Sequence, residues 1–516
     1  MGLTDVVSWV PAWLGYLIAF ILLIYLYGVW PYLTSQIRLP GPKPTVFFGN
    51  LIEVYKHGVI PTDMSNLKKY GRVYMSWTGR IPTIYVSDPD LVKQICVKEF
   101  QNFPNRAIHA PLSPLQRSMI TSLKDDHWKF VRSVLSPAFS SGKMRKMVPL
   151  IQICIDRLIE NLGDLVKKQR SIDIKPVMEG LTMEVIGAVG FGIETNVQND
   201  LNDRFLIMAR RVFQVNSLTK IPVILTLFFP FMRPIFEALN MTADSGEVMD
   251  FFAKMVKHTI QERRQQPSPR KDLLQVILDS SVDDLKETVA DRDVDVDALK
   301  MDGVKRKTLT DKEVIAQSLV FLLAGFESTA TAVSHLLYSL AIYPECQDKL
   351  VEEIDEALKG GAPTYDNVMK LPYLEKCLCE AQRLYPAIRG NSRMSREAIT
   401  INGIYIPANT SVMLMGYALQ HDETYWPDPE KFDPERWSPE QKAARHPYVS
   451  IPFGAGPRNC VGMRLAQLEA KMSVVAMLQR FRFIRAPDTE VPLKMKKGSF
   501  LLPENGIRLR IESREK

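Results

Sequence analysis

The sequence predicts a mainly α-helical fold with small β-sheets (α+β), preceded by a transmembrane helix. Three observations carry this. An apolar stretch from Val6 to Ile37 contains no charged residue, helical periodicity dominates the remainder with one long helix bounded by Thr310 and Pro344, and only two segments read as hairpins. A chain of 516 residues can bury a large core. Lys and Arg total 65 against 58 Asp and Glu, a net charge of +7. That surplus is small for the length. It argues against a dedicated nucleic-acid binder and fits a protein working beside anionic surfaces.

The N-terminal run includes VPAWLGYLIAFILLIYLYGVW. It supplies the ~20 apolar residues needed to cross a bilayer. Trp9, Trp13, Trp30 and Tyr32 sit near its ends as interfacial anchors. A cleaved signal peptide is the competing reading, but the run is too long for its apolar region and no small-residue cleavage site follows. Asp5 precedes the run, and Arg38 and Lys43 follow it, which places the downstream chain in the cytoplasm. The expected organisation is an anchor over residues 1–37, a proline-rich hinge over 38–44 (RLPGPKP begins at Arg38), and one cytosolic domain over 45–516. In a reducing compartment Cys96, Cys154, Cys346, Cys377, Cys379 and Cys460 are not expected to form disulfides, and no pair has zinc-binding spacing. The sequons at Asn240 and Asn409 then stay unmodified.

Beyond the hinge, RVYMSWTGRIPTIYVS predicts a hairpin around Thr78-Gly79, and AITINGIYI one turning at Asn402-Gly403, a type I′ signal. Ser281 to Lys307 is charge-rich and reads as a solvated connection. The long helix opens with Thr310 and Glu313 as a capping box and closes near Tyr343. Its middle, AGFESTATA, is a poor choice for a plain core helix. Glycine costs ~1 kcal/mol against alanine, and hydroxyls compete for backbone hydrogen bonds. Two readings stay open: a helix crossing that needs small residues, or a place where a flat group passes close and needs a proton relay. In CLCEAQRLYP, Glu380 and Arg383 share a helix face among apolar neighbours, so the pair is expected to be buried, with Arg436 of DPERW as a third member. Finally, PFGAGPRNCVG surrounds Cys460 with three glycines and an arginine. The other five cysteines read as small core residues.

These residues together carry a resemblance. The pattern F-x-x-G-x-R-x-C-x-G at Phe453, Gly456, Arg458, Cys460 and Gly462, E-x-x-R at Glu380 and Arg383, P-E-R-W at Pro434 to Trp437, W-x-x-x-R at Trp128 and Arg132, and the Ala324 to Ser328 stretch follow the order found in the cytochrome P-450 superfamily. From about Leu39 onward the chain resembles these haem-thiolate monooxygenases, most nearly the microsomal family 3, with thromboxane synthase as a relative. The resemblance implies the cytochrome P-450 fold and haem b (iron protoporphyrin IX), with Cys460 as axial ligand of the iron. A thiolate there donates electron density that favours O–O cleavage. Arg458, Trp128, Arg132 and Arg393 are expected at the haem propionates, and Phe453 beside the sulfur. Gly456 and Gly462 let the loop lie against the porphyrin. Glu380, Arg383 and Arg436 brace that loop's scaffold.

By the same resemblance, Gly325 brings the long helix close to the haem, and Glu327 with Ser328 and Thr329 relays protons. Most relatives carry threonine where this chain has Ser328. The lost methyl frees the rotamer and is expected to loosen control of the relay. Ile120, Thr121, Val320, Phe321, Ala324, Ile388 and Arg389 are expected in the substrate pocket, Arg389 either receiving a substrate carboxylate or turning aside to a propionate or an acid. Leu225 to Phe236 is too apolar for an exposed loop and is expected to dip into lipid at the substrate entrance. Lys129, Lys143, Arg145 and Lys146 offer a basic face to an NADPH-cytochrome P-450 reductase, with cytochrome b5 as a further donor. The implied activity is insertion of one atom of O2 into a lipophilic small molecule at the endoplasmic reticulum membrane, with electrons from NADPH through the reductase. Two rivals remain: a thromboxane-synthase-like peroxide isomerase, disfavoured by the retained Glu327 and Ser328, and a non-catalytic haem sensor.

Overall fold

The computed structural model describes residues 12–168, 170–214, 221–242, 246–265, 272–279, 308–498 and 500–514. The charge-rich connection at 281–307 and the anchor's first residues lie outside them. Helix α1, Ala12–Thr34, is the apolar N-terminal segment. Its Trp13–Thr34 stretch has a mean hydropathy of 1.9 and is almost wholly exposed, which suits lipid and not water. Helix α2, Val59–Tyr70, leads into strands β1, Val73–Thr78, and β2, Ile81–Val86. The turn is Gly79-Arg80, one residue later than the sequence suggests, because Thr78 pairs with Ile81. Gly79 takes the positive φ of 61° that the two-residue turn requires.

Helices α3 (Asp125–Leu135), α4 (Ser141–Lys167), α5 (Ile174–Ile186), α6 (Arg204–Gln214) and α7 (Gly246–Gln265) precede the long helix α8, Asp311–Ile342. Both halves of the Thr310–Glu313 capping box form, and Tyr343 closes α8 before Pro344 begins the next helix. At 32 residues α8 is about 48 Å long. It is apolar enough to pass for a membrane span, yet it is mostly buried, because α5, α7 and the later helices pack around it. Helix α9, Pro372–Leu384, carries the Glu380–Arg383 pair.

Strand β3, Asn391–Met394, joins β6, Ser411–Leu414, which runs parallel to β2, giving a four-stranded sheet in the order β1-β2-β6-β3. Between them the hairpin β4 (Ile399–Ile401) and β5 (Ile404–Ile406) turns at Asn402 and Gly403, with φ of 49° and 79°, as a type I′ turn demands. Helix α10, Met463–Arg480, follows the cysteine loop and packs on α4 and α8. The apolar stretch from Leu225 to Phe236 is neither loop nor core helix. It forms a helix, Ile221–Phe228, a tight turn at Pro230–Met232 and a short helix, Arg233–Ala238, with Phe231 and Ile235 facing outward.

Candidate active site

The cysteine loop is built by local hydrogen bonds. Cys460 donates its N–H to Phe453 O at 2.8 Å, and Asn459 donates to Gly456 O at 2.9 Å, drawing the chain into a tight bend that ends where Gly462 caps α10. Gly456 has a φ of 70°, and a Cβ there would lie 2.0 Å from the carbonyl oxygen of Cys96. Glycine is therefore required here for close approach to the chain behind it. Gly462 is less constrained, since an added Cβ would meet only the Phe139 ring at an ordinary 3.8 Å.

Cys460 opens onto a cavity whose empty volume, counting its mouth, is about 1640 Å³. Because protein surrounds that cavity, burial pushes the thiol pKa up. The Gly462 amide, followed by the charges of Arg132 and Arg106, pulls the other way.

Beside the loop lie four arginines: Arg132, Arg393 and Arg458 are buried and Arg106 is half-buried, and Arg106, Arg132 and Arg458 line the cavity whereas Arg393, expected there, does not. Arg132, on α3, donates to Asn459 O at 3.0 Å and to Asn459 Oδ1 at 2.7 Å, tying α3 to the cysteine loop. Arg458 donates to Leu123 O at 2.6 Å and stacks 4.3 Å from the Trp128 ring centroid. Arg393, on β3, donates to Ser392 O. The fourth, Arg106, lines the cavity and was not anticipated from sequence. It lies in an irregular segment without helical or strand periodicity, so nothing local marks it. In each of the four, Nε is buried and lacks a partner. Among the described residues none forms a salt bridge. Burial and mutual repulsion pull Arg458 down to about 8, while burial pulls Arg106 and Arg132 down to about 10. Such a cluster is costly unless an anion completes it.

The far wall comes from α8. Ala324, Gly325, Ser328 and Thr329 line the cavity with Ile120, Thr121, Val320, Phe321 and Ile388. An added Cβ at Gly325 would press on Ile186 of α5 at 3.2 Å, so this glycine serves the crossing of two helices. Ser328 back-bonds to Ala324 O at 2.6 Å, and the Thr329 hydroxyl is buried without a partner.

Glu327 departs from the sequence expectation. It does not line the cavity; its Oε1 accepts from Lys175 Nζ at 2.7 Å and from Thr331 Oγ1 at 3.1 Å. Lys175 also pairs with Glu179, which Arg210 reaches at 2.6 Å. Two acids and two bases form a chain from α8 through α5 to α6. The acid side chain therefore turns into the protein behind the cavity wall, because a cation is available there and none lines the wall beside it.

Arg389 takes the second of its two expected courses, turning aside to an acid and not facing the pocket. It pairs with Asp63 of α2, lies 6.0 Å from the Tyr85 ring centroid, and does not line the cavity. A buried guanidinium goes to the nearest carboxylate, and α2 supplies one that no short-range pattern connects to Arg389. Glu469 of α10, unanticipated as well, lines the cavity with Oε1 unpartnered; burial alone raises its carboxyl well above the ordinary range.

Behind the loop, the Glu380–Arg383 pair is bidentate at 2.9 and 2.9 Å, with both side chains 0% exposed. Glu380 also accepts from Trp437 Nε1 at 2.9 Å and Asp433 N at 3.0 Å, and Arg436 lies 3.3 Å away. Arg383 continues to Gln420 O and Lys431 O. Of the basic residues read as a partner-binding face, Arg145 is paired with Asp366 at 2.9 Å and Lys129 lies 3.6 Å from Asp126, while Lys146 is exposed.

Residues 39–511 match the model of the family described as Cytochrome P450. The chain is 38% identical to lithocholate 6-beta-hydroxylase of Mesocricetus auratus, covering 96% of this chain and 95% of that protein. It is 37% identical to cytochrome P450 3A7 of Homo sapiens, covering 98% and 97%, and 36% identical to cytochrome P450 3A11 of Mus musculus, covering 96% and 95%.

Proposed function

Since the chain belongs to the cytochrome P450 family of haem-thiolate monooxygenases, we propose that it inserts one oxygen atom into neutral, steroid-like or drug-like lipophiles while α1 holds it in the endoplasmic reticulum membrane. The observation that carries this reading is the cavity into which Cys460 opens, lined by the guanidiniums of Arg106, Arg132 and Arg458, each with a buried Nε that lacks a partner. A flat prosthetic group with two carboxylates and an iron that takes a single thiolate fits such a site. Among the described residues no group of His, Cys, Asp and Glu could hold a metal unaided.

Haem b, when bound, supplies activation of O2 and transfer of an oxygen atom, which thiolate ligation favours. Cys460 Sγ would ligate the iron, its negative charge stabilised by the Gly462 amide and the α10 N-terminus. Arg106, Arg132 and Arg458, which line the cavity, would bind the carboxylates, where charge-assisted bonds offset their burial, and Arg393 adds its charge from beside Arg458. Ser328 and Thr329 line the cavity, and Ser328 Oγ, which donates to Ala324 O and is exposed, is the hydroxyl suited to hold a proton there. Ile120, Val320, Phe321, Ala324 and Ile388 exclude water. With Arg389 held by Asp63, that wall offers no cation to a fatty-acid carboxylate, which favours neutral substrates. Electrons would come singly from an NADPH-dependent reductase.

Incubation of the full-length protein with reductase, NADPH, a neutral steroid and labelled dioxygen should give a product carrying one labelled atom. Rearrangement of a lipid peroxide without reductase, and no labelled product, would instead support the isomerase. Ligand-induced spectral shifts without any turnover would support a sensor.

Lys175→Met should move the ionisation of Glu327 upward in pH. Burial already raises this carboxyl, and Lys175 is the largest influence pulling it down. Below its ordinary value of 4.5 the carboxyl is protonated with or without the lysine, so the change is confined to higher pH, where the variant keeps the proton longer. The pH profile of product formed per NADPH should shift to higher pH, and Lys175→Arg should restore it. An unshifted profile in Lys175→Met would remove Glu327 as the titrating group.

A further inference from the structure

The end of α1 does not leave the body as a free tether. Tyr32 Oη shares its hydrogen between Thr45 O and Gly79 O, each at 3.1 Å, and its ring meets Trp77 edge-on at 4.7 Å. One turn earlier, Tyr27 stacks on Phe229 at 5.6 Å and lies 6.5 Å from Phe47. At Gly28 an added Cβ would lie 2.8 Å from the Phe47 ring, so a larger residue would push that ring aside. Phe47 itself holds a φ of 62°, a conformation that a bulky side chain rarely adopts and that this packing maintains.

Arg80 links all three elements. Its backbone N–H donates to Leu227 O at 3.2 Å, its Nη1 donates to Phe228 O at 3.5 Å, and its guanidinium lies 3.5 Å from the Tyr27 ring centroid. Gly79 beside it admits this approach, because a Cβ would stand 2.7 Å from Leu227 O. The rings then continue outward, Tyr27 to Phe229 and Phe229 to Phe231 at 6.0 Å. Phe231 is 64% exposed, Ile235 51% and Leu239 64%. The apolar surface of α1 is thus continuous with that of the Ile221–Ala238 segment.

We propose that Arg80 is a positioning residue that joins the membrane helix to the Ile221–Ala238 segment, so that both enter the acyl region of the bilayer as one rigid body and α1 sets the tilt of the catalytic body. The proposal rests on the membrane-anchored reading above. Tyr27 lies seven residues before the helix end at Thr34, about 10 Å along the axis. Its contact with Phe229 therefore holds the segment near the ~5–10 Å depth of interfacial apolar faces. A guanidinium over an aromatic ring keeps its attraction where water is scarce, which suits a joint at that level.

Linear dichroism of the haem absorption in oriented phosphatidylcholine bilayers measures that tilt. The wild-type full-length protein should show a defined tilt, and Arg80→Ala, Gly28→Leu and Tyr27→Leu should each reduce the dichroism at least twofold, toward the value of a protein lacking residues 1–35. Tyr27→Leu lies outside the body's core, so the body folds in that variant and the test stands even if the other two are lost. Unchanged dichroism in Tyr27→Leu and in any folded Arg80→Ala sample would overturn the proposal. Release of the wild-type protein by alkaline carbonate would instead overturn the anchoring reading, and the proposal with it.

Discussion

Cys460→His should abolish the red-shifted absorption that carbon monoxide gives with a reduced thiolate-ligated haem, and Cys460→Ala should lose it along with most of the bound haem. Single replacements of Cys96, Cys154, Cys346, Cys377 or Cys379 should leave the band in place, since none of these five lines the cavity. The effect is all-or-none because ligand identity, not packing, sets the spectrum and the O–O cleavage it reports. Retention of the band in Cys460→Ala, with its loss on replacing another cysteine, would overturn the assignment of the site.

The second large effect belongs to the Glu380–Arg383 pair. Glu380→Gln leaves a fully buried guanidinium without its counter-charge, and breaking such a pair costs about 3–5 kcal/mol. Against a net stability of roughly 5–15 kcal/mol, much of the folded population is lost. The double replacement Glu380→Leu with Arg383→Leu should be milder than Glu380→Gln, because the fully buried guanidinium is removed with its partner and the charge left over is that of Arg436 at the edge of the pair. The haem-to-protein ratio and the melting temperature of the two variants check this. A Glu380→Gln protein with wild-type haem content and melting temperature would show that the pair does not brace the loop.

Much of this protein could be read without coordinates wherever the signal is local in sequence. The capping box at Thr310 and Glu313, the Asn402-Gly403 turn and the uncharged N-terminal run are each decided by residues within one or two turns of each other. Helix caps, turns and membrane spans depend on short-range hydrogen bonding and on the number of apolar residues in sequence. The position of Cys460 belongs to the same class, since its loop is closed by bonds among residues 453 to 462.

What tertiary structure decided are the partners of buried charges. Glu327 was expected to face the reacting group, yet Lys175, 152 residues away, holds it on the other side. Arg389 was left between a substrate carboxylate and an acid elsewhere, and Asp63, 326 residues away, decides for the acid. At Gly325 the sequence left open a helix crossing or the approach of a flat group, and only the fold puts Ile186 of a second helix against it, as it puts the Cys96 carbonyl against Gly456. Arg106 carried no motif at all, and only the convergence of separate segments sets it among Arg132, Arg393 and Arg458. The sequence alone determined the elements, the apolar N-terminal helix and the loop that carries Cys460, because their interactions are short-range. The direction of each ionisable side chain awaited the fold, because burying a charge costs several kcal/mol and its orientation follows whichever opposite charge the packing brings within about 4 Å.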